Sequence, residues 1–517
     1  MPLSTQVRSA VASALARLLP PHRRSEGDTD RIVYSRDLWP RSLLALRDGQ
    51  ASIAPPDFVV WPESTDEIVA LVRLAEELRV PLIPWGGGSG VCGGTLALSG
   101  GIVVDVKRMQ RVLSVSREDH LVTAQAGING QHLEDALNLQ GLTLGHFPSS
   151  IYCSTLGGWL ATRSAGQMST RYGKIEDMLE SLEVVAGGGA RIRCGVGDTP
   201  DLAPLFVGSE GTLGVITEAT MRVRPLPSHR VFRAYEFPRV AAGCEGIRRI
   251  LQRGLRPAVV RLYDQMDSLL ARPSGDPDDA PSAAGALASL IPERVKDATA
   301  ELPRLLLGQA LAHAGILSKL AEALVPKLGR GCLLIVGLEG EPGLAEAEAS
   351  LCHAELLAAG GKDLGDGPGL RWYAHRYSVS YKMSPLFAAG GFVDTLEVAT
   401  TWDKLLHLYG QVREALSPLA IVLAHFSHAY PEGCSIYFTF AAAAEGRARS
   451  EALYDELWRR GLAAVTRSGG TISHHHGVGV SKASFMEQEH GTSFALYRQL
   501  KALYDPCGVF NPGKMGL

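Results

Sequence analysis

Pro84-Trp85-Gly86-Gly87-Gly88-Ser89-Gly90-Val91 carries the strongest signal in the sequence. It follows the apolar run Val80 to Ile83 and precedes Cys92-Gly93-Gly94. Glycine is too dense here for a packed helix or strand. Without a Cβ it can take positive φ and bring bare N–H groups close to a ligand. Consecutive N–H groups in a tight loop form an anion-binding concavity. The stretch therefore reads as a pyrophosphate cradle, with a plain glycine turn as the alternative. The missing lysine excludes a Walker loop. Gly88, Gly90 and Gly93 match G-x-G-x-x-G by letter, but that motif must open a helix. Here Thr95 to Gly101 leads straight into the strand-like Ile102 to Val106, so a Rossmann reading is rejected.

The totals set bounds. The 517 residues suffice for several domains, each with its own core. A net charge of −3 gives no argument for nucleic acid. The eight cysteines are scattered with no C-x-x-C pair, which suits a reducing compartment and speaks against a disulfide framework or a zinc ribbon. Met1 to Pro20 lacks a basic start followed by a long apolar core, so a cytoplasmic protein is expected.

Residues 1–50 read as a helical lead-in, with Val7, Val11, Leu15 and Leu18 at helical spacing before Pro20-Pro21. His22 to Asp30 is polar and reads as exposed. From Ile53 the pattern is α/β. Ser64 and Glu67 form a capping-box signature ahead of the helix face Ile68, Leu71, Val72, Ala75 and Leu78. Strands are expected at 102–106, 112–115 and 121–125, and a helix from Asn129 to Gly141.

Two further stretches stand out. The first runs His146-Phe147-Pro148-Ser149-Ser150-Ile151-Tyr152-Cys153-Ser154-Thr155-Leu156-Gly157-Gly158-Trp159 and on through Thr162-Arg163-Ser164-Ala165-Gly166. Its small hydroxylic residues and glycines can approach a flat or phosphorylated ligand and donate hydrogen bonds; the plainer alternative is a polar loop before an ordinary helix. The second is Gly208-Ser209-Glu210-Gly211-Thr212-Leu213-Gly214-Val215-Ile216-Thr217, a glycine turn leading into a strand.

With these three motifs in order over residues 50–227, the chain resembles the flavoproteins of the vanillyl-alcohol oxidase and para-cresol methylhydroxylase (PCMH) type. The resemblance implies an α+β fold: a two-part PCMH-type FAD-binding domain with α/β subdomains over 51–227, and a cap domain on an antiparallel sheet over 228–465. Residues 466–517 return to the flavin site. It implies FAD as cofactor, its pyrophosphate at Pro84 to Gly90 and its remainder at 146–165 and 210–216. Relatives with covalent FAD carry a histidine in the first loop; its absence here implies non-covalent FAD.

Within the cap region, 271–303 is rich in Ala, Pro, Ser and Asp and reads as a linker or mobile insert. Leu305 to Leu328 is apolar and helical, interrupted by His313, Lys319 and Glu322, so it does not span a membrane. A cap-domain helix pair is the favoured reading, and an interfacial lid touching a membrane surface is the alternative.

The chemistry rests on the C-terminal third. On a strand, His474 and His476 of the run Ser473-His474-His475-His476-Gly477 share one face and His475 the other. Within the family this triple histidine, with Tyr430-Pro431-Glu432-Gly433-Cys434-Ser435-Ile436-Tyr437, looks like the alkylglycerone-phosphate synthases. That resemblance implies Tyr430 as acid/base, His474, His475 and His476 assisting at the flavin, and Arg261 as a further catalytic residue. It also implies that flavin N5 would take up the substrate carbon as an acyl group leaves, and that a fatty alcohol would then displace the flavin. Arg376, Tyr381, Lys382 and His425 fall to the substrate. Met383 stands where the synthases carry a phosphate-holding arginine, and His425 also replaces an arginine. The alternative is an FAD-dependent oxidase or dehydrogenase of a small 2-hydroxy acid or alcohol, and a third reading is flavin binding without catalysis. A metal on His425, His428 and His476 is weighed against a polar wall, and no metal is expected. The substrate is small or lipid-like, and a homodimer is expected.

Overall fold

The computed structural model describes residues 3–50, 52–271, 301–324, 331–378 and 383–517. Most of the insert at 271–303 lies outside them, as do Tyr381 and Lys382. The described chain is mixed helix and sheet and forms two compact units. One comprises Met1–Gly166, Gly173–Leu226 and His475–Leu517; the other comprises Gln167–Tyr172 and Pro227–His474.

The first unit holds two main sheets. In one, the strands Phe58–Val60, Ile102–Asp105 and Leu82–Trp85 run parallel in that spatial order, with Arg24–Ser25 antiparallel at the edge. The expected polar lead-in at 22–30 is therefore also a sheet edge: Arg24 pairs with Val60 and Ser25 with Val59. The helix Thr5–Leu18 ends before Pro20, and Val11 and Leu15 join a core with Phe58, Leu71, Leu82, Val104 and Phe510. Ser64 caps the helix Thr65–Leu78 through a bond from the Glu67 N–H. The Glu67 carboxylate reaches back to the Glu63 N–H at 2.8 Å, one residue before the position a capping box uses.

The second sheet of this unit is antiparallel, in the order Val112–Ser116, Leu121–Gln125, Val215–Arg222, Leu179–Ala186, Ala190–Gly195. Alternating burial along Val215–Arg222 shows one face turned to the core.

The other unit is built on one antiparallel sheet, seven-stranded among the described residues: Lys362–Gly365, His229–Phe237, Cys332–Gly340, Val259–Tyr263, Ile421–Ala429, Gly433–Ala443 and Gly391–Thr401. The apolar run from Leu305 forms two helices, Glu301–Ala312 and Ala314–Leu324. Leu311, Ala314 and Ser318 are buried, whereas Ile316, Leu320 and Leu324 are exposed. No helix of the described residues is long and apolar enough to cross a membrane.

Candidate functional site

In the first unit the three glycine-bearing motifs meet. A Cβ on Gly86 would fall 2.3 Å from Thr155 Oγ1, and one on Gly87 would fall 1.8 Å from the Cys153 carbonyl oxygen. Only glycine allows the first loop to lie this close to 153–158. Gly88 has φ +63°, and a Cβ there would strike the Trp85 ring at 2.3 Å. Gly90 is different, since its nearest neighbour would be Asp37 Oδ2 at 3.6 Å. Gly211 in the third motif lies against Pro84.

The first loop is held from several sides. Trp85 packs edge-on against Tyr34, whose hydroxyl donates to Asp105 at 2.5 Å. Lys107 Nζ donates to Asp105 at 2.6 Å and to the Gly86 carbonyl at 3.1 Å. Asn511 Nδ2 donates to the carbonyls of Gly94 at 2.9 Å and Glu210 at 2.7 Å, joining the first and third motifs. The buried Glu210 carboxylate accepts from the N–H groups of Val478 at 2.5 Å and Gly479 at 2.8 Å. Burial raises its pKa.

Several residues of the second motif have structural duties. Ser154 Oγ accepts from Trp159 Nε1 at 2.7 Å and donates to the Ser150 carbonyl. Thr155 caps the helix Leu156–Thr162, Thr162 bonds back to Gly158, and Arg163 pairs with Glu176. Ile151, Gly157 and Ala165 are buried; Ser149, Tyr152 and Cys153 are exposed. Thr212, Leu213 and Val215 are core residues. His146 is fully buried against Trp159, with Nε2 at 3.2 Å from Ser164 Oγ. Burial first, then His475, pushes its pKa down to about 3. Its Nδ1 is buried and has no hydrogen-bond partner among the described residues. Glycine-only packing around an open Gly90 and this orphaned Nδ1 fit a large polar cofactor such as FAD.

The second unit brings Tyr430, Ser169 and His428 together. The Tyr430 hydroxyl donates to Ser169 Oγ at 3.1 Å, and Ser169 Oγ lies 2.7 Å from His428 Nδ1. His428 Nε2 lies 3.5 Å from the Tyr437 hydroxyl. With Ser169 Oγ accepting from Tyr430, its own proton points to Nδ1, leaving the His428 proton on Nε2. His428 has φ 51° and sits at a register shift between Ser427 and Ala429. This β-bulge re-aims the side chain out of the ladder. His474 lies beside both, with ring centroids 5.5 Å from Tyr430 and 5.8 Å from His428, and its N–H donates to buried Glu397.

Next along the same sheet, His425 Nε2 is 2.7 Å from Arg261 Nη2, and its Nδ1 is 3.2 Å from Asp267 Oδ2. Burial, then Arg261, holds the His425 pKa well below its usual value. Burial raises Asp267 to about 6, with Arg261 opposing. Arg376 lies over the rings of Tyr373 and Tyr377 and accepts a bond at its carbonyl from Gln167. Met383 precedes the short helix Ser384–Ala388.

The histidine run is not a strand. Thr471 makes an isolated bridge to Ala399, and the chain then turns through Gly477 and Gly479 at positive φ. Strand alternation therefore does not govern the three rings. His474 belongs with Tyr430 and His428, while His475 and His476 contact each other at 4.7 Å in the first unit. Sequence reasoning missed Ser169, Asp267 and Asn511. Only Asn511 had a local signal, in Asn511-Pro512-Gly513 beside the chain end.

Residues 56–195 match the FAD binding domain family, and residues 226–515 match the FAD linked oxidases, C-terminal domain. The chain is 30% identical to the alkyldihydroxyacetonephosphate synthase of Dictyostelium discoideum, across 96% of this chain and 79% of that one. It is 27% identical to glycolate oxidase subunit GlcD of Bacillus subtilis, across 98% and 96%. A solved alkyldihydroxyacetonephosphate synthase structure superposes with TM-score 0.76 at 28% identity, across 99% of this chain and 85% of that one. A p-cresol methylhydroxylase superposes at 0.75 with 12% identity, across 100% and 98%, a likeness in fold alone.

Proposed function

The chain belongs to the family of FAD-linked oxidases and takes FAD as its cofactor, and from that premise we propose that it is a transferase of the alkylglycerone-phosphate synthase type. Bound FAD supplies a ring position that can take and return a substrate fragment. The chain's own part is proton movement. Tyr430 is the acid/base group, and its proton runs to Ser169 Oγ and on to His428 Nδ1. This directed line of hydroxyl and imidazole carries the reading, because a phenol that exchanges a substrate proton needs somewhere to send it. His474 flanks Tyr430, and Arg261 and Arg376 supply cations for an anionic substrate. In this reading FAD is held non-covalently and the substrate is small or lipid-like. The protein works in the cytoplasm as a homodimer; its eight free cysteines suit that compartment, and sedimentation tests the dimer.

The test is Tyr430→Phe. Ether formation from an acyl dihydroxyacetone phosphate and a fatty alcohol falls by about 10²- to 10⁴-fold, the worth of one proton transfer. FAD content stays unchanged. Wild-type rates in the variant overturn the assignment.

A second reading, an FAD-dependent oxidase or dehydrogenase of a 2-hydroxy acid, is favoured by Met383, which has no donor for a phosphate. Lasting anaerobic bleaching of the flavin by glycolate or D-lactate, reversed by an electron acceptor, selects it. Bleaching by the acyl ketone phosphate, reversed by a fatty alcohol, selects the first.

A further inference from the structure

Among the described residues Arg261 makes no direct ion pair, and the carboxylate that feels its charge is Asp267. It projects from the strand Val259–Tyr263, with its guanidinium 5.3 Å from the Tyr263 ring centroid. Its Nε is shut off from solvent and has no hydrogen-bond partner among the described residues. Of the nearby carboxylates, Asp264 pairs with Arg413 at 2.7 Å, while Asp267 feels the Arg261 charge but its Oδ2 faces His425 at 3.2 Å. Burying an arginine donor without a partner is costly. The arrangement makes sense when an anion arrives with the ligand, because the guanidinium fork matches phosphate and carboxylate oxygens.

The support behind Arg261 is specific. A guanidinium only donates, so His425 Nε2 must offer its lone pair across the 2.7 Å contact. The His425 proton is then on Nδ1, aimed at Asp267 Oδ2. The imidazole is clamped flat against the Tyr437 ring, with centroids 4.7 Å apart and planes 15° apart. Asp267 is fixed in turn by its place on the helix Gln265–Ala271 and by its N–H, which donates to Asp264 Oδ1 at 2.8 Å.

We propose that Arg261 receives the oxyanion of the substrate, and that Asp267 is a positioning residue that holds Arg261 through the neutral Nδ1–H form of His425. The inference rests on the reading of the chain as an enzyme of an anionic substrate. That oxyanion is a phosphate monoester if the protein is a synthase and a carboxylate if it is a hydroxy-acid dehydrogenase.

The experiment titrates the FAD-loaded protein with glycerol phosphate and, separately, glycolate, following binding by calorimetry. Wild type binds one of them. Arg261→Gln weakens that binding on the order of ten- to hundredfold, as expected for a charge-assisted contact, and Arg261→Lys falls between. Asp267→Leu weakens it as well, whereas Asp267→Asn, which keeps an acceptor for Nδ1–H, restores most of it. Nitrogen-15 spectra of labelled histidine, assigned with His425→Gln, place the His425 proton on Nδ1. If Arg261→Gln does not load FAD, Arg261→Lys and the Asp267 pair carry the test. Binding of neither probe, equal affinity in the Arg261 variants, or a proton on Nε2 overturns the inference. Which probe binds separates the two readings of function and leaves the inference standing in either case.

Discussion

At the scale of the residue, His146 sets a pH dependence whose sign can be worked out. Its folded pKa is about 3 because burial disfavours the imidazolium, against roughly 6.5 in an unfolded chain. Between these values the unfolded state binds more protons, so stability is present above about 6.5 and is lost as pH falls toward 3. Glu134 acts in the opposite sense. Burial lifts it to about 7, so its contribution is present at low pH and is lost as pH rises from about 4.5 through 7. A comparison of variants isolates the histidine. Between pH 7.5 and 5.5, wild type should lose about 1.4 kcal/mol more than His146→Gln, one proton's linkage over that span. Urea titrations of the FAD-loaded proteins at the two pH values measure it, and parallel losses would show that His146 is protonated in the fold. Tyr430 is a different kind of residue. Its candidacy was readable from a sequence pattern, but Ser169, which receives its hydroxyl, lies 261 positions away and carried no signal of its own.

At the scale of the element, the glycine loop separates packing from ligand approach. In Gly87→Ala the new methyl meets a backbone carbonyl at 1.8 Å. Backbone cannot give way as a side-chain tip can, so the loop must part from 153–158. A loss of about 3 kcal/mol or more is expected, at the upper end for overpacking, with no FAD retained after purification. Gly90→Ala meets nothing nearer than 3.6 Å, so the protein should melt within a degree or two of wild type. A fall in FAD affinity there, read by flavin fluorescence, reports the cofactor against that backbone; unchanged affinity moves the pyrophosphate away from Gly90. The loop, the Ser64 cap and the turn into Val215–Arg222 were legible because each depends on neighbours a few residues away. The strand condition attached to the histidine run goes unmet for a related reason. A strand needs a partner along its length, and the bridge of Thr471 to Ala399 is not continued as a ladder through 472–476. The Asp267 contact to His425 spans 158 positions, and the sequence holds no local trace of it.

At the scale of the whole molecule, the chain finishes the first unit with its last residues. Leu82 N–H donates to the Val509 carbonyl and Asn511 N–H to the Leu82 carbonyl, both at 2.8 Å, so the tail continues the parallel sheet beside Leu82–Trp85. Lys501 Nζ reaches the carbonyls of Thr212 and Phe510 at 2.7 Å, and Lys514 Nζ reaches Leu96 at 2.7 Å. Asn511 is the tie between the first and third motifs, and it has φ 41°. Alanine there would mix backbone strain with loss of the amide, so Asn511→Gly is the cleaner variant. It strands two carbonyl groups whose partners cannot be replaced locally, at a cost of about 2 kcal/mol or more. Lys514→Met loses two hydrogen bonds, to the Leu96 and Pro512 carbonyls, but also relieves a buried cation whose pKa burial has lowered to about 8, so its net effect should be smaller. If the tail holds the motifs in register, Asn511→Gly should release FAD faster on dilution while Lys514→Met releases it nearly as wild type does. Equal release from both would mean that the tail packs against the unit without fixing the loops, and the register would then have to come from the glycine contacts alone.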